Sequence, residues 1–468
     1  MDRMSRVCCA VLLAFTLLGC TSLHQIRTDG STAGTLKEID IGDMAQFHCD
    51  TGAPAQDQPR KIVEDYGRSW IGYVEYDDQG WARSGGAQVR QVMDRLQAEL
   101  HDPRYAPFDF QVIVFIHGWH HNAYDNDCNV QQFRSMIKQA ADQYSLSSLD
   151  HPRRVVGIYV GWRGESVDFP GLRYLTVLDR RNSAEHVAKG EVRTLFATLR
   201  KVEIAANGID KADPRRRNRL RSTVIGHSFG GLIAFHGLSQ AVLSELAQQK
   251  PGKDVACDSD PDASAPKVDH TWPDLLVLIN PAFEASRFEP LHNLMRPVPG
   301  CAYSASLPPK VLVFTADNDW ATGVVFTSLR RILSVFESYS PDQDGAMAVR
   351  EKTSNLHAIG FVDRYRTHRL CRRDDAGAQK TVVAFTPPAG ANADEVQDHR
   401  APVWVIGAPA DIIDGHDGFL YANAVPGARP QPLLLNWIIG LHTSNPNKGL
   451  APDTGLIAAD GMCGGWKN

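Results

Sequence analysis

The chain has 468 residues, with 49 basic and 54 acidic side chains, a net charge of −5 and 43 % hydrophobic residues. That length can bury a large core in one or two domains, and the near balance of charge excludes a general nucleic-acid binder. The hydrophobic content excludes a disordered chain.

Taken in order, the N-terminus has the pattern of a targeting segment. Arg3 and Arg6 precede an apolar run from Val7 to Leu18, too short to span a bilayer in the mature protein. The run ends in Leu17-Leu18-Gly19-Cys20, which resembles the bacterial lipobox, cleaved before its cysteine and lipidated on it. The resemblance implies a signal peptide over 1–19 and acyl chains on Cys20, a membrane partner sufficient for stable anchoring. Thr21 in place of an aspartate implies the outer membrane, facing the periplasm. Residues 20–60, with Thr, Ser, Gly, Gln and Pro scattered through them, read as a tether, and 61–468 as the folded domain. Of nine cysteines, Cys49, Cys128, Cys257, Cys301, Cys371 and Cys463 then remain in an oxidising compartment. They lack C-x-x-C spacing, so structural disulfides of open pairing are expected rather than zinc.

Trp70 to Tyr76 is rich in aromatic and β-branched residues and runs into Asp77-Asp78-Gln79-Gly80, a strand entering a turn. Gln88 to Leu100 carries Val89, Val92, Met93, Leu96 and Leu100 at helical spacing. Val112 to Ile116 is continuously apolar, as a strand buried on both faces requires. A helix follows over Phe133 to Ala141, a second buried strand over Val155 to Val160, and one helix over Ala184 to Leu199. Thr223 to Ile225, Leu275 to Ile279, Val311 to Phe314 and Val403 to Ile406 supply further strands. The alternation predicts an α/β fold, with a mostly parallel central sheet and helices on both faces. Loop insertions are expected near 251–273 and 321–400. Within the latter, Val324 to Phe336 is apolar at helical spacing and suits a cover for a cleft. Asp363 to Asp398 shows one strand, Thr381 to Phe385.

The chain is organised around Gly226-His227-Ser228-Phe229-Gly230, between a β-branched strand and an amphipathic helix. A serine on such a sharp strand-to-helix turn projects its hydroxyl into a cleft. Cβ atoms two positions either side would clash, so Gly226 and Gly230 suit the elbow. The N–H of Phe229 opens the following helix, where backbone donors favour an anion. A serine hydroxyl needs a base within hydrogen-bond reach. With this strand order and a downstream acid and histidine, roughly residues 110–440 resemble the α/β-hydrolase fold. His117-Gly118-Trp119 is similar to that family's His-Gly oxyanion loop.

The resemblance implies the chain order serine, acid, histidine. Asp319 and Asp317, in the loop after Val311 to Phe314, are the acid candidates, with Asp319 at the family's usual offset and Asp317 in reserve. His416, between Gly415 and Gly418 after the Val403 strand, is the histidine, ahead of His357, His368, His399 and His442. Ser228 is then the nucleophile, His416 its base and Asp319 the residue that holds the imidazole, while the N–H groups of Phe229 and Trp119 bind the oxyanion. His117 is expected to order its loop.

Other signals have blander explanations. His117, His120 and His121 with Asp125 and Asp127 have the residue types of a metal site, but lie on a strand end and a loop without convergent spacing. Arg215 to Arg221 suits a solvated loop, with anionic lipid head groups as a second partner. Trp119, Trp162 and Trp320 each follow a strand end and are expected to ring the cleft. The expectation is a lipid-anchored envelope serine hydrolase of carboxylic esters, without metal or organic cofactor. Lipase, phospholipase and thioesterase are alternatives within enzymes. A non-catalytic binding protein on the same fold is the alternative outside them.

Overall fold

The computed structural model describes residues 25–28, 61–146, 152–164, 176–208, 219–249, 272–296, 309–340, 345–375, 378–386 and 401–418. Its strands are β1 (Val63–Asp65), β2 (Ser69–Glu75), β3 (Asp109–Ile116), β4 (Arg153–Gly161), β5 (Leu220–His227) and β6 (Leu275–Ile279). They continue as β7 (Val311–Ala316), β8 (His368–Asp375), β9 (Ala378–Phe385) and β10 (Val403–Ala408). Together they form one sheet in the order β1-β2-β4-β3-β5-β6-β7-β10-β8-β9. Pairing is parallel from β2 through to β8, and antiparallel only where β1 and β9 close the two edges.

The central strands are apolar throughout because both faces are covered. In β3, Val112, Val114 and Ile116 join one core layer while Ile113 and Phe115 join the other. That is the two-residue alternation of a strand. The first layer receives Val92 and Leu96 from the helix Arg83–His101, and Leu195 and Leu199 from Val192–Gly208. Leu232 and Ile233 come to it from Phe229–Gln249. The second receives Phe133 and Ile137 from Cys128–Leu146. Each such side chain, fully buried, contributes roughly 1.5–3 kcal/mol.

Several expectations are corrected. The helix expected over Ala184 to Leu199 is two helices, Val177–Lys189 and Val192–Gly208. The break comes from the turn after β2: Glu191 N–H donates to the Gly80 carbonyl at 2.8 Å, and a Cβ on Gly190 would overlap Gly80. In the stretch after Asp363, a hairpin of β8 and β9 replaces the single strand, and β8 pairs parallel with β10. Part of the expected 321–400 insertion therefore extends the sheet. Its His-Arg-Leu-Cys-Arg-Arg-Asp-Asp sequence is polar, which hid β8 among loop residues.

Residues 25–28, inside the expected tether, are docked. Arg27 is 1 % exposed, with Nη1 2.8 Å from Glu64 Oε1, Nη2 2.8 Å from Asp125 Oδ1, and its guanidinium 3.7 Å from the centre of the Tyr73 ring. The N–H groups of Ile26 and Arg27 donate to Glu75 at 2.9 and 2.7 Å. Arg219, from the basic run, is buried and donates to the Leu100 carbonyl at 2.8 Å, so this part of the run is neither solvated nor a head-group site. Cys128 and Cys371 each take part in a disulfide. The signal peptide, Cys20, Arg215 to Arg217 and most of the 251–273 insertion lie outside the described residues. Among the described residues, no helix is long and apolar enough to cross a membrane.

Candidate active site

β5 ends in the elbow. Ser228 adopts φ 55°, a left-handed conformation that a non-glycine residue holds only where its surroundings enforce it. They do so here. Ser228 N–H donates to the Ile279 carbonyl at 3.0 Å, and its own carbonyl accepts from Gly231, Leu232 and Ala282 N–H groups. A Cβ on Gly230 would overlap the carbonyl oxygens of Ile116 and His117, and one on Gly226 would overlap Gly230. The two glycines are thus required by close backbone approach, as the spacing implied. Gly118 passes directly over the nucleophile candidate, since a Cβ there would lie 2.9 Å from Ser228 Cβ. Phe229 is the first residue of its helix, so its N–H has no partner one turn back.

Of the two acids, the structure brings only Asp319 to the histidine. His416 Nδ1 lies 2.9 Å from Asp319 Oδ2. The Asp319 side chain is fully buried, and its Oδ1 accepts the N–H groups of Ala321 and Thr322 at 2.9 and 3.2 Å. Asp317 points away and pairs with Arg369 at 2.5 Å. Burial raises the Asp319 pKa, but the hydrogen bond and charge of His416 outweigh it and hold the carboxyl below its usual range. For His416, burial lowers the pKa while the hydrogen bond and charge of Asp319 raise it, and the result lies above the usual 6.5.

Three residues that the sequence did not single out fix the histidine loop. Asn280, at the end of β6 with φ 43°, donates from Nδ2 to the His416 carbonyl at 2.7 Å and to the Gly415 carbonyl at 3.2 Å. Its Oδ1 accepts the Ala316 N–H at the end of β7 at 2.9 Å. His227 Nε2 also donates to the His416 carbonyl, at 3.0 Å, and burial pushes this imidazole down to about 3, so it is neutral. Asn318 closes the arrangement, donating to Asp414 Oδ1 and accepting the Gly415 N–H, each at 2.8 Å. Their one sequence signal is a polar residue at the end of an apolar strand.

His117 is fully buried behind the loop. Its Nδ1 donates to the Gly118 carbonyl at 2.9 Å, its Nε2 accepts the Trp162 N–H at 3.0 Å, and burial lowers its pKa to about 4. Trp162 stacks on it with ring centres 5.6 Å apart and is 3 % exposed. Of the three tryptophans expected at the cleft, Trp119 and Trp320 line it and Trp162 does not. The histidine-rich loop does not converge as a metal site either: His121 pairs with Asp127, and Asp125 with Arg27 and Arg134. His227, His416 and Asp417 do place ligand-capable atoms within 4.8 Å of one another. His227 Nε2 in that cluster is engaged with the His416 carbonyl, and His416 Nδ1 with Asp319.

Ser228 and His416 open into a single cavity of about 450 Å³. The fold is thus α/β, a mostly parallel ten-stranded sheet with helices, and the site lies at the C-terminal ends of β5, β6, β7 and β10. No protein-family model matches the chain, and no curated protein does. Among solved structures, a phospholipase, PlaB from Legionella pneumophila in complex with thio-NAD, aligns at 13 % identity and a TM-score of 0.26. That alignment covers 73 % of this chain, which spans 61 % of the other protein's length.

Proposed function

We propose that the chain is a serine hydrolase of the α/β-hydrolase type, cleaving carboxylic esters through an acyl-enzyme. The observation that carries this is Ser228, on a strained elbow, sharing one cavity with an imidazole whose far nitrogen is 2.9 Å from a fully buried carboxylate. In the first step His416 takes the Ser228 proton as Oγ attacks the ester carbonyl, and Asp319 stabilises the imidazolium. The N–H groups of Phe229 and Trp119 are the proposed oxyanion donors. Collapse of the tetrahedral intermediate breaks the ester C–O bond, and His416 returns the proton to the leaving alcohol. Water then repeats the sequence on the acyl-enzyme and releases the acid.

Labelling with a fluorophosphonate probe tests the assignment. The native protein should label on Ser228, and Ser228→Ala should abolish both labelling and ester hydrolysis. Unchanged labelling in that variant would refute it, and a folded native protein that does not label would favour the binding-protein alternative.

A lipase or phospholipase is the second reading, favoured by the hydrocarbon that Val325, Phe326, Leu329 and Leu333 present to the cavity. Anchoring through a lipid on Cys20 at the envelope belongs to the same proposal. The lipobox supports it, and the disulfides in which Cys128 and Cys371 each take part support an oxidising compartment. Cys20→Ala should move the protein from the membrane to the soluble fraction, and continued sedimentation with membranes would exclude the anchor.

A further inference from the structure

The loop after β3 carries Gly118, which passes over Ser228, and Trp119, which lines the cavity as the second proposed oxyanion donor. His120 in this loop adopts φ 68°, a left-handed conformation that a non-glycine residue keeps only under outside constraint. Part of the constraint comes from β4 and the turn after it. His120 N–H donates to the Gly164 carbonyl at 3.2 Å, and the Tyr159 hydroxyl donates to the Asn122 carbonyl at 2.9 Å. Another part comes from the N-terminal segment. Arg27 Nε donates to the Ala123 carbonyl at 2.8 Å, and Arg27 Nη2 pairs at 2.8 Å with Asp125 of the same loop.

The domain is built to receive this arginine. Glu64 Oε1 accepts from Arg27 Nη1 at 2.8 Å, and Arg134 reaches from Glu64 Oε2, at 2.9 Å, to Asp125 Oδ1, at 2.6 Å. Arg27, Glu64, Arg134 and Asp125 thus alternate in sign around a closed ring that carries no net charge. Backbone bonds seat the segment as well. The buried Glu75 accepts the N–H groups of Ile26 and Arg27, and Gln88 Nε2 donates to the Arg27 carbonyl at 3.0 Å. One planar guanidinium therefore meets a loop carbonyl, a loop carboxylate, Glu64 and the face of Tyr73 together. A lysine ammonium, a point charge without the fork, does not reproduce that set.

We propose that Arg27 is a positioning residue for catalysis: by clamping Ala123 and Asp125 it fixes the loop after β3, so that the Trp119 N–H meets the oxyanion formed at Ser228. This rests on the serine-hydrolase reading above. The stretch that the sequence presents as a tether then belongs, at residues 25–28, to the frame of the active site. Arg27 touches neither substrate nor the reacting atoms, and its effect is on the placement of one donor. An oxyanion donor acts on the tetrahedral state more than on the bound ester, so misplacing it lowers kcat and spares KM.

The test measures p-nitrophenyl butyrate hydrolysis by the full chain and its variants, with an alkyl trifluoromethyl ketone as an inhibitor that forms the tetrahedral oxyanion. Arg27→Ala should lower kcat ~10- to 100-fold at nearly constant KM and weaken ketone inhibition by a similar factor. Arg27→Lys should fall with it although the charge is kept. Arg68→Ala, which breaks an exposed ion pair with Asp142, should leave kcat unchanged. Should Arg27→Ala fail to fold, Asp125→Ala, at a half-buried position, removes one side of the clamp and should show a smaller loss of the same kind. Full kcat in either Arg27 variant, a change confined to KM or to thermal stability, or a ketone affinity that does not follow kcat would overturn the positioning role. With Ser228 still labelled by the fluorophosphonate, the serine hydrolase would stand. If the native chain neither labels nor cleaves esters, that reading fails first and takes the positioning role with it.

Discussion

The strand ends that carry Ser228, Asp319 and His416 and the segment from Trp320 to Phe336 face the same cavity, but they are held in different ways. At the strand ends nearly every polar atom near the histidine has a partner from another strand. Asn280 ties the end of β6 to β7 and to the loop after β10, His227 ties β5 to that same loop, and Asp319 is fully buried. The segment beside them is a π-helical turn, Ala321–Val325, continuing into the short helix Phe326–Leu333. It is pinned inward by Phe326, Thr327 and Arg330, while Ile332 is 70 %, Val335 68 % and Phe336 100 % exposed. On the proposed function, the difference separates chemistry from selection. Proton transfer tolerates little misplacement, which fits groups over-determined by hydrogen bonds; binding of a hydrocarbon chain is non-directional and needs only a surface.

Substitutions on each side should break or sharpen that contrast. Among them, Asp319→Asn is expected to have the largest effect, lowering kcat ~1,000-fold or more with the fold intact. It also has a pH signature. The base is active only when neutral, so kcat/KM should rise with pH through the His416 pKa, at a midpoint above 6.5 in the native enzyme. Removing the carboxylate removes what raises that pKa, so the midpoint of the residual activity should move down. A pH–rate profile that does not move would show that Asp319 does not govern His416.

Asn280→Ala should come next, lowering kcat ~10- to 100-fold with KM nearly constant, because the histidine loop loses its two Nδ2 bonds. A change confined to KM would place Asn280 in substrate binding and remove the distinction between rigid chemistry and adaptable selection. The smallest effect is expected on the other side. Leu329→Trp, which adds bulk to the hydrocarbon wall, should leave kcat for acetyl esters within about twofold and shift the optimum to shorter acyl chains. Equal loss on acetyl and octanoyl esters would show that this segment positions the reacting groups after all.

Much of the arrangement was legible in the sequence, for reasons that can be named. The glycines around Ser228 were readable because the elbow is a local constraint, decided by backbone within a few residues. The core strands were readable because a strand buried on both faces must be apolar at every position. The edge hairpin was not, since β8 owes its conformation to β9 and β10 rather than to its own polar residues. The break at Gly190 follows from the Gly80 turn, about a hundred residues earlier in the chain, and Arg27 is buried only because Glu64, Asp125 and Tyr73 converge on it.

The sequence by itself determined the elbow and the alternation of strands and helices, both written in short-range spacing and composition. The order of serine, acid and histidine rested on the family resemblance alone. Only the tertiary structure brought Asp319 rather than Asp317 to His416, let Asn280 and His227 hold that histidine by its carbonyl, and gathered hydrocarbon and polar side chains around one cavity. These depend on groups brought together from distant parts of the chain. The resemblance ranked Asp319 ahead of Asp317 by offset alone; the packing of β7 against β10 turns one toward the imidazole and the other toward Arg369.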